Sequence, residues 1–326
     1  MFNFLSKLTF GKIINILKAE LGFLLSRIIK RPIILGLPYS YAIEPTSRCN
    51  LHCPHCPTGL GTIKRDKGEI TMDIYKDFVR QISGEATYLM LYLQGEPFIN
   101  PNLFDMIQFA SVKNIYTCTS TNGHFLDEKN ATQTVLSGLD RIIISLDGTT
   151  QDVYQKYRMG GSLQLVLTGI RNLVEAKRNL KSKTPVIILQ FIVFKHNQHQ
   201  ISDFIKLGKK LKVDKKELKS AQIYDFKNAK DMITDIDKYS RYRKDPSGYR
   251  LKRKLRNRCG RIFTTAAITH EGNLISCCYD KDGDFTMGNL NGKTFQELWK
   301  NRSFNMFRTV VLNNRKGIDI CRNCNE

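Results

Sequence analysis

The sequence predicts an α/β fold: a partial (β/α)6 TIM-like barrel with a small C-terminal α+β domain and an N-terminal amphipathic helix. Three observations predict it. Between residues 40 and 226, six short apolar runs alternate with amphipathic stretches of helical period, the pattern of parallel βα units. The polar and glycine-containing motifs fall at the C-terminal ends of those runs, where an α/β barrel places its active site. The segments on either side are of another kind: a basic helical stripe before the runs, and a stretch punctuated by cysteine and glycine after residue 259. The expected division is 1–37 helix and linker, 38–226 barrel, 227–258 basic connector and 259–326 a second cysteine-bearing domain.

In residues 1–37, Phe10, Ile13, Ile14, Leu17, Leu21, Leu24, Leu25 and Ile28 recur at helical spacing, interrupted by Lys7, Lys12, Lys18, Arg27, Lys30 and Arg31. Such a helix is too charged to span a bilayer. Two placements remain open, in the interface of an anionic membrane or docked on the barrel or a partner. A signal peptide is not expected, because Lys and Glu break the apolar region. The expected strands are Tyr41–Ile43, Tyr88–Leu93, Ile115–Ser120, Arg141–Leu146, Val186–Phe194 and Ala221–Tyr224. Between them, Met72–Ile82, Leu103–Val112, Leu163–Ala176 and Ile201–Leu211 read as helices. In the connector, Lys252, Arg253, Lys254, Arg256 and Arg258 are expected to share a helical basic face for an anionic partner or to form a solvated linker helix. Phe295–Phe307 reads as one further helix.

Composition sets bounds. A chain of 326 residues with 41% hydrophobic content buries a substantial core. A net charge of +21 favours anionic partners, although a basic-biased proteome accounts for part of it. Nine cysteines without a cleavable leader pattern argue for metal ligation in a reducing cytoplasm rather than for disulfides. No recognisable nucleic-acid-binding module accompanies the charge, so no nucleic-acid partner is expected. No apolar stretch reaches the ~18 residues of a spanning helix.

Cys49, Cys53 and Cys56 lie at C-x3-C-x2-C directly after the first strand. Three thiolates on one loop can hold three irons of a [4Fe–4S] cluster and leave the fourth open, whereas zinc wants a fourth ligand from elsewhere. His52 and His55 sit in the same tight loop, where a mononuclear site is awkward. Cys118 reads as a buried thiol; His124, His196 and His199 read as surface or loop residues. Further on, Cys259, Cys277 or its neighbour Cys278, Cys321 and Cys324 make a second set, and taken alone these suit zinc.

The cysteine loop resembles the signature of the radical S-adenosylmethionine (SAM) superfamily. Glu44-Pro45-Thr46, Gln94-Gly95-Glu96-Pro97, Ser120-Thr121-Asn122-Gly123, Ser145-Leu146-Asp147-Gly148 and Tyr157-Arg158-Met159-Gly160-Gly161 match that family in order. Gln94 departs from it, standing where the first glycine of the GGE motif usually lies. The resemblance spans roughly residues 40–326. It implies that Gly95 and Glu96 meet the SAM amino group and that Ser145 lies near the ribose. It also implies that Arg158 meets the carboxylate and that His55 lies near the adenine. Behind such a core, C-x12-G-x4-C with Glu271-Gly272 and Gly288-Asn289-Leu290 resembles the SPASM module, here in the shortened twitch form. Its spacings resemble those of 2-deoxy-scyllo-inosamine dehydrogenase. That implies an auxiliary [4Fe–4S] cluster on Cys259, Cys277, Cys321 and Cys324.

The resemblance implies a radical SAM enzyme that cleaves SAM reductively to a 5′-deoxyadenosyl radical, fed by a one-electron donor such as flavodoxin or ferredoxin. A fully ligated auxiliary cluster suits an electron acceptor, hence a two-electron, dehydrogenase-like oxidation of a sugar, aminocyclitol or lipid-linked anionic substrate. The alternatives are a peptide maturase forming thioethers, epimers or crosslinks, and a non-catalytic metal-binding scaffold. The expected location is the cytoplasm, with peripheral contact at the inner membrane face.

Overall fold

A computed structural model describes residues 2–223, 232–246 and 248–324. Six strands, β1 (Ser40–Ile43), β2 (Tyr88–Leu91), β3 (Tyr116–Thr121), β4 (Arg141–Ser145), β5 (Val186–Val193) and β6 (Lys215–Ser220), pair in parallel in that order. Helices such as Met72–Ile82, Leu103–Ser111, Leu163–Asn179 and Ile201–Lys210 cross back between them. Each parallel return needs such a crossover, so the sheet curls into a partial barrel with its helices outside.

The helix-facing side of the strands is the core. Leu89 and Leu91, Ile142 and Ile144, and Leu189, Phe191 and Val193 are buried against Phe78, Val79, Met106, Ile107, Val166 and Ile170. The alternate residues face the lumen, where Tyr88, Arg141 and Ser145 are only partly covered. Arg141 lies over the Tyr88 and Tyr116 rings, and Phe4 meets Tyr116 edge-on at 5.6 Å.

The sheet does not stop at β1. After the hairpin of β7 (Tyr242–Asp245) and β8 (Gly248–Leu251), β9 (Thr265–Ile268) pairs in parallel with the free edge of β1. Antiparallel β10 (Asn273–Ile275) and β11 (Thr286–Asn289) then extend the sheet to nine strands, in the order β11-β10-β9-β1-β2-β3-β4-β5-β6. The C-terminal segment is therefore hydrogen-bonded to the barrel's first strand. Helices Phe295–Lys300 and Arg302–Asn314 close it over Trp299 and Arg308, both fully buried. The Arg308 guanidinium packs on the Trp299 and Phe304 rings at 4.3 and 3.8 Å.

The structure departs from three expectations and adds two helices. The sixth strand is Lys215–Ser220, not Ala221–Tyr224, of which Tyr224 lies outside the described residues. Lysines on this edge strand disguise it, since only Leu218 supplies an apolar anchor. The basic stretch from Arg253 to Arg258 is not helical but irregular coil with bends following β8; residues 227–231 of the connector lie outside the described residues. The helix expected over Phe295–Phe307 breaks at Asn301, whose side chain caps the second helix by accepting from Phe304 N at 2.8 Å. Helices Glu128–Leu136 and Gln151–Tyr157 had no counterpart in the sequence reading. Among the described residues, no helix is long and apolar enough to cross a membrane.

Candidate functional site

Because six strands run parallel from β1 and a seventh, β9, joins them, their C-terminal ends converge on one mouth. The sequence-predicted motifs gather there. The loop after β1 carries Cys49, Cys53 and Cys56, all free thiols. Its position is fixed from three sides: His52 N donates to Met159 O (3.0 Å), Asn122 Nδ2 to Asn50 Oδ1 (2.8 Å) and Glu96 N to Arg48 O (2.8 Å). Gly95 has φ +71°, and a Cβ there would stand 2.3 Å from the Thr46 carbonyl oxygen. Only glycine lets the β2 loop approach the cysteine loop this closely.

Glu96 is wholly buried, and burial raises its carboxyl to about 7. It accepts from Thr121 Oγ1 (2.7 Å), Asn122 N (2.7 Å) and Phe98 N (3.2 Å), so its carboxylate organises the turn after β3. Gln94, in place of the family's glycine, accepts from Thr58 Oγ1 at 3.1 Å. Ser145 ends β4 opposite Gln190. Arg158 is held by Asp147, Nε to Oδ2 at 2.7 Å, and points Nη1 at Cys53 Sγ, 3.9 Å away. Asp147, unremarked in the sequence beyond its motif, also accepts from Ile192 N at 2.6 Å. It anchors the guanidinium to β5.

Burial pushes the Cys53 thiol up to about 11 and raises Cys49, while Arg158 opposes the shift at both. Leu51 N also lies 3.5 Å from Cys49 Sγ. These thiols stay protonated until something electrophilic takes them, and three soft donors beside a cation and a backbone N–H suit an iron–sulfur cluster. Among the described residues, no three His, Cys, Asp or Glu side chains converge on a point that would hold a single metal ion. A cube takes its thiolates at separate corners.

The second thiol set encloses a space. Cys259, Cys277, Cys321 and Cys324 line one small, closely packed cavity of ≈ 10 Å3 together with Ile262, Phe307, Val311 and Arg315. Cys278 does not line it; its sulfur lies 3.5 Å from Arg261 Nη1. Arg315, buried at 1% exposure, points Nη2 at Cys324 Sγ (3.3 Å) and donates Nη1 to Arg258 O (2.6 Å). The sequence offered no signal for this guanidinium, because its burial is a tertiary event.

Between the two thiol sets runs a cleft of ≈ 380 Å3. Its lining includes His55, Pro57, Tyr279, Asp280, Lys281 and Asn323. His55, with φ +64°, opens onto this cleft, and Tyr279 and Ile320 line both the cleft and the four-thiol cavity. Asp280 is fully buried. Its Oδ2 accepts from Phe285 N (3.1 Å) and Ser276 Oγ (3.3 Å), whereas its Oδ1 has no hydrogen-bond partner. Burial raises its carboxyl. Burial lowers Lys281, which feels Cys56 and Cys278 together.

The histidines expected at the surface are mixed. His124 Nδ1 lies 2.9 Å from Asn122 Oδ1 and Nε2 accepts from Ser162 N at 2.8 Å, so it ties the β3 turn to the Leu163 helix. His196 stacks on Phe194 and is lowered by burial to about 4. His199 is exposed, and Cys118 is buried on β3 as expected.

Residues 43–207 match the Radical SAM superfamily, and residues 259–325 match SPASM, an iron–sulfur cluster-binding domain. Mycofactocin maturase MftC of Mycobacterium tuberculosis is 24% identical over 298 residues, covering 85% of this chain and 73% of the maturase. BtrN, solved with AdoMet and 2-DOIA, aligns with a TM-score of 0.54 at 19% identity, covering 89% of this chain and 94% of BtrN. Streptococcus suis SuiB, solved with S-adenosylmethionine, aligns with a TM-score of 0.66 at 14% identity, covering 89% and 73%.

Proposed function

This chain belongs to the radical SAM superfamily, and from that premise we propose a dehydrogenase-like enzyme that oxidises a hydroxyl-bearing substrate held in the cleft between the two thiol sets. When bound, an open [4Fe–4S] cluster carrying SAM supplies a reductive cleavage whose product takes hydrogen from an unactivated carbon, and an auxiliary cluster supplies a one-electron acceptor. Cys49, Cys53 and Cys56 would hold the first; Cys259, Cys277, Cys321 and Cys324 the second. A one-electron donor of the flavodoxin or ferredoxin type is the partner this requires.

The chain's own side chains do the rest. Gly95 and Ser145 line the strand ends where SAM would rest, and Glu96 shapes that floor through Thr121 and Asn122. Arg158, fixed by Asp147, orients a carboxylate beside Cys53. An alcohol becoming a carbonyl loses a hydrogen atom from carbon, a proton from oxygen and one electron. We assign the proton to the acidic wall of the cleft, where Asp282, Asp284 and Asp319 keep exposed surface.

The observation that carries this reading is the shared wall: Tyr279 and Ile320 border both the cleft and the four-thiol cavity. The cleft lining holds Asp280, Asp282, Asp284 and Asp319 against Lys281, with Lys64 pairing Asp284 and Arg322 pairing Asp319. That charge favours neutral or amine-bearing substrates over the anionic ones suggested by overall composition. A volume near 380 Å3 suits a small molecule. Peptide maturation is the second reading, favoured by the likeness to MftC and by SuiB, also solved bound to its precursor peptide SuiA. We place the enzyme in the cytoplasm, where its cysteines stay reduced, with a peripheral membrane contact through the N-terminal helix.

Iron and sulfide are counted after anaerobic reconstitution, and SAM turnover to methionine is followed. Two clusters are expected in the wild type and one in the Cys49/Cys53/Cys56→Ala variant, which no longer cleaves SAM. A folded triple variant with no iron removes the electron acceptor and with it the oxidation.

A further inference from the structure

The N-terminal helix Phe10–Ile29 is docked the wrong way round for a core helix. Its buried stripe is Lys12, Asn15, Ala19, Gly22 and Ser26. Its opposite stripe, Phe10, Ile13, Leu17, Leu21, Leu24 and Ile28, is exposed, from 43% at Ile13 to 78% at Phe10. Both stripes run at helical spacing, so the inversion is continuous over the helix.

The polar side is built for docking. Lys12 Nζ donates to Asn114 O (2.7 Å), Asn15 exchanges two 2.9 Å bonds with Leu37, and Ser26 Oγ accepts from Ile33 N (2.7 Å). A Cβ on Gly22 would stand 2.6 Å from Ile33 O. Just before the helix, Lys7 pairs with Asp140 at 2.5 Å. These partners sit immediately before β3, β1 and β4, and Phe23 meets Phe263 at 5.3 Å just before β9. The helix thus lies across the N-terminal ends of the strands, opposite the mouth.

Its charges are one-sided. Lys18, Lys30 and Arg31 are exposed, and the single acid, Glu20, accepts from Tyr39 Oη at 2.7 Å. At the helix end Arg27 comes near enough to Arg258 to act on it as a like charge, together with Arg253 and Arg256. An apolar stripe bordered by cations is the chemistry of an interfacial helix on anionic lipid.

We propose that this stripe seats the enzyme on an anionic bilayer surface, with the mouth of the barrel facing away from the lipid. The substrate then enters from the aqueous side, not from the membrane beneath. This deepens the membrane contact named above and stands apart from the chemistry assigned to the cleft.

The test is flotation of the full-length, cluster-loaded protein with phosphatidylcholine vesicles, with and without phosphatidylglycerol. Wild type is expected to float only with the anionic vesicles and to be released as salt rises. Leu17→Glu with Leu24→Glu, both in solvent, is expected to stay unbound while cleaving SAM at the wild-type rate. Lys18, Lys30 and Arg31→Gln together are expected to partition roughly a hundredfold more weakly, at about fivefold per basic side chain. Wild type that fails to float overturns the proposal, as does flotation of the Leu17/Leu24 variant at the wild-type level. If lipid-free wild type instead sediments as a dimer that Leu17→Glu disperses, the stripe joins two copies and the proposal falls.

Discussion

Replacing Arg65 by Met should cost far more than a surface ion pair is worth, and the cost should shrink as pH falls. Glu44, at the end of β1, is 0% exposed, and Arg65 grips it with Nη1 to Oε2 at 2.8 Å and Nη2 to Oε1 at 2.9 Å. His270, in the β9–β10 turn, adds its N at 3.1 Å and Nδ1 at 3.0 Å, and Arg65 Nε reaches on to Lys281 O at 2.9 Å. One carboxylate therefore joins the loop after the cysteines to the C-terminal domain. Arg65→Met strands a buried charge, at about 3–5 kcal/mol. For a chain of this length that is a fall of roughly 6–10 °C in Tm, at about 2 °C per kcal/mol.

The sign of the pH dependence follows from Glu44. Burial raises its carboxyl, but the His270 and Arg65 bonds outweigh burial and hold it below the ordinary value. In the wild type its contribution is present above the unfolded carboxylate range and is lost as pH falls through the lowered value. Without Arg65, burial is opposed only by His270, and the carboxyl moves upward. A raised carboxyl stabilises below the unfolded value and loses that contribution as pH rises through the folded one. The gap between variant and wild type should thus be widest near pH 8 and narrow toward pH 5. Adding Glu44→Gln to Arg65→Met should restore about 1–2 kcal/mol near pH 8, because a neutral amide is cheaper to bury than an unpaired charge. Denaturant unfolding at the two pH values measures both. A gap under about 1 kcal/mol, or one indifferent to pH, would refute the reasoning.

Two further outcomes test the site. Gly95→Ala puts a Cβ 2.3 Å from Thr46 O at a φ of +71°, so the β2 loop must leave the cysteine loop; the variant should lose the SAM-cleaving cluster and keep the other, counted as half the wild-type iron. Cys277→Ala should lose the auxiliary cluster's iron while Cys278→Ala keeps it, because only Cys277 faces the four-thiol cavity; the reverse pattern would exchange the two assignments.

What the sequence disclosed and what it hid divide along a physical line. Strands β1 to β5 were legible because their runs are apolar and β-branched, and their ends carry the motifs. β6 was hidden because an edge strand needs only one buried side, and Lys215 and Lys219 on its other side can sit in water. The three N-terminal thiols were legible as a set because they share one short loop. Arg315, Lys281 and Asp280 were not, because their meaning arises from what folds over them. The N-terminal helix is the sharpest case. Periodicity finds two opposed stripes but does not say which one docks, and the small residues Ala19, Gly22 and Ser26 permit the close approach that decided it.

The continuity of the sheet explains why the two thiol sets can work as a pair. Had the C-terminal segment been tethered only by the connector, the separation of the sets would vary with that linker. Instead β9 pairs with β1 over Ser40↔Thr265 to Ile43↔Ile268, and Cys49 follows β1 just as Cys259 and Cys277 flank β9 and β10. The first set and half of the second, Cys259 and Cys277, hang from neighbouring strands of one sheet, and the Glu44–Arg65–His270 contact pins the loops above them. The cleft between the sets inherits that rigidity. For the oxidation proposed above, electron transfer to the second set would fall off steeply with distance, and a substrate radical would have to be held where it cannot wander. A shared sheet meets both needs at once, which is why loosening Arg65 should slow product formation more than SAM cleavage. Equal slowing of the two would place the latch's role in folding alone.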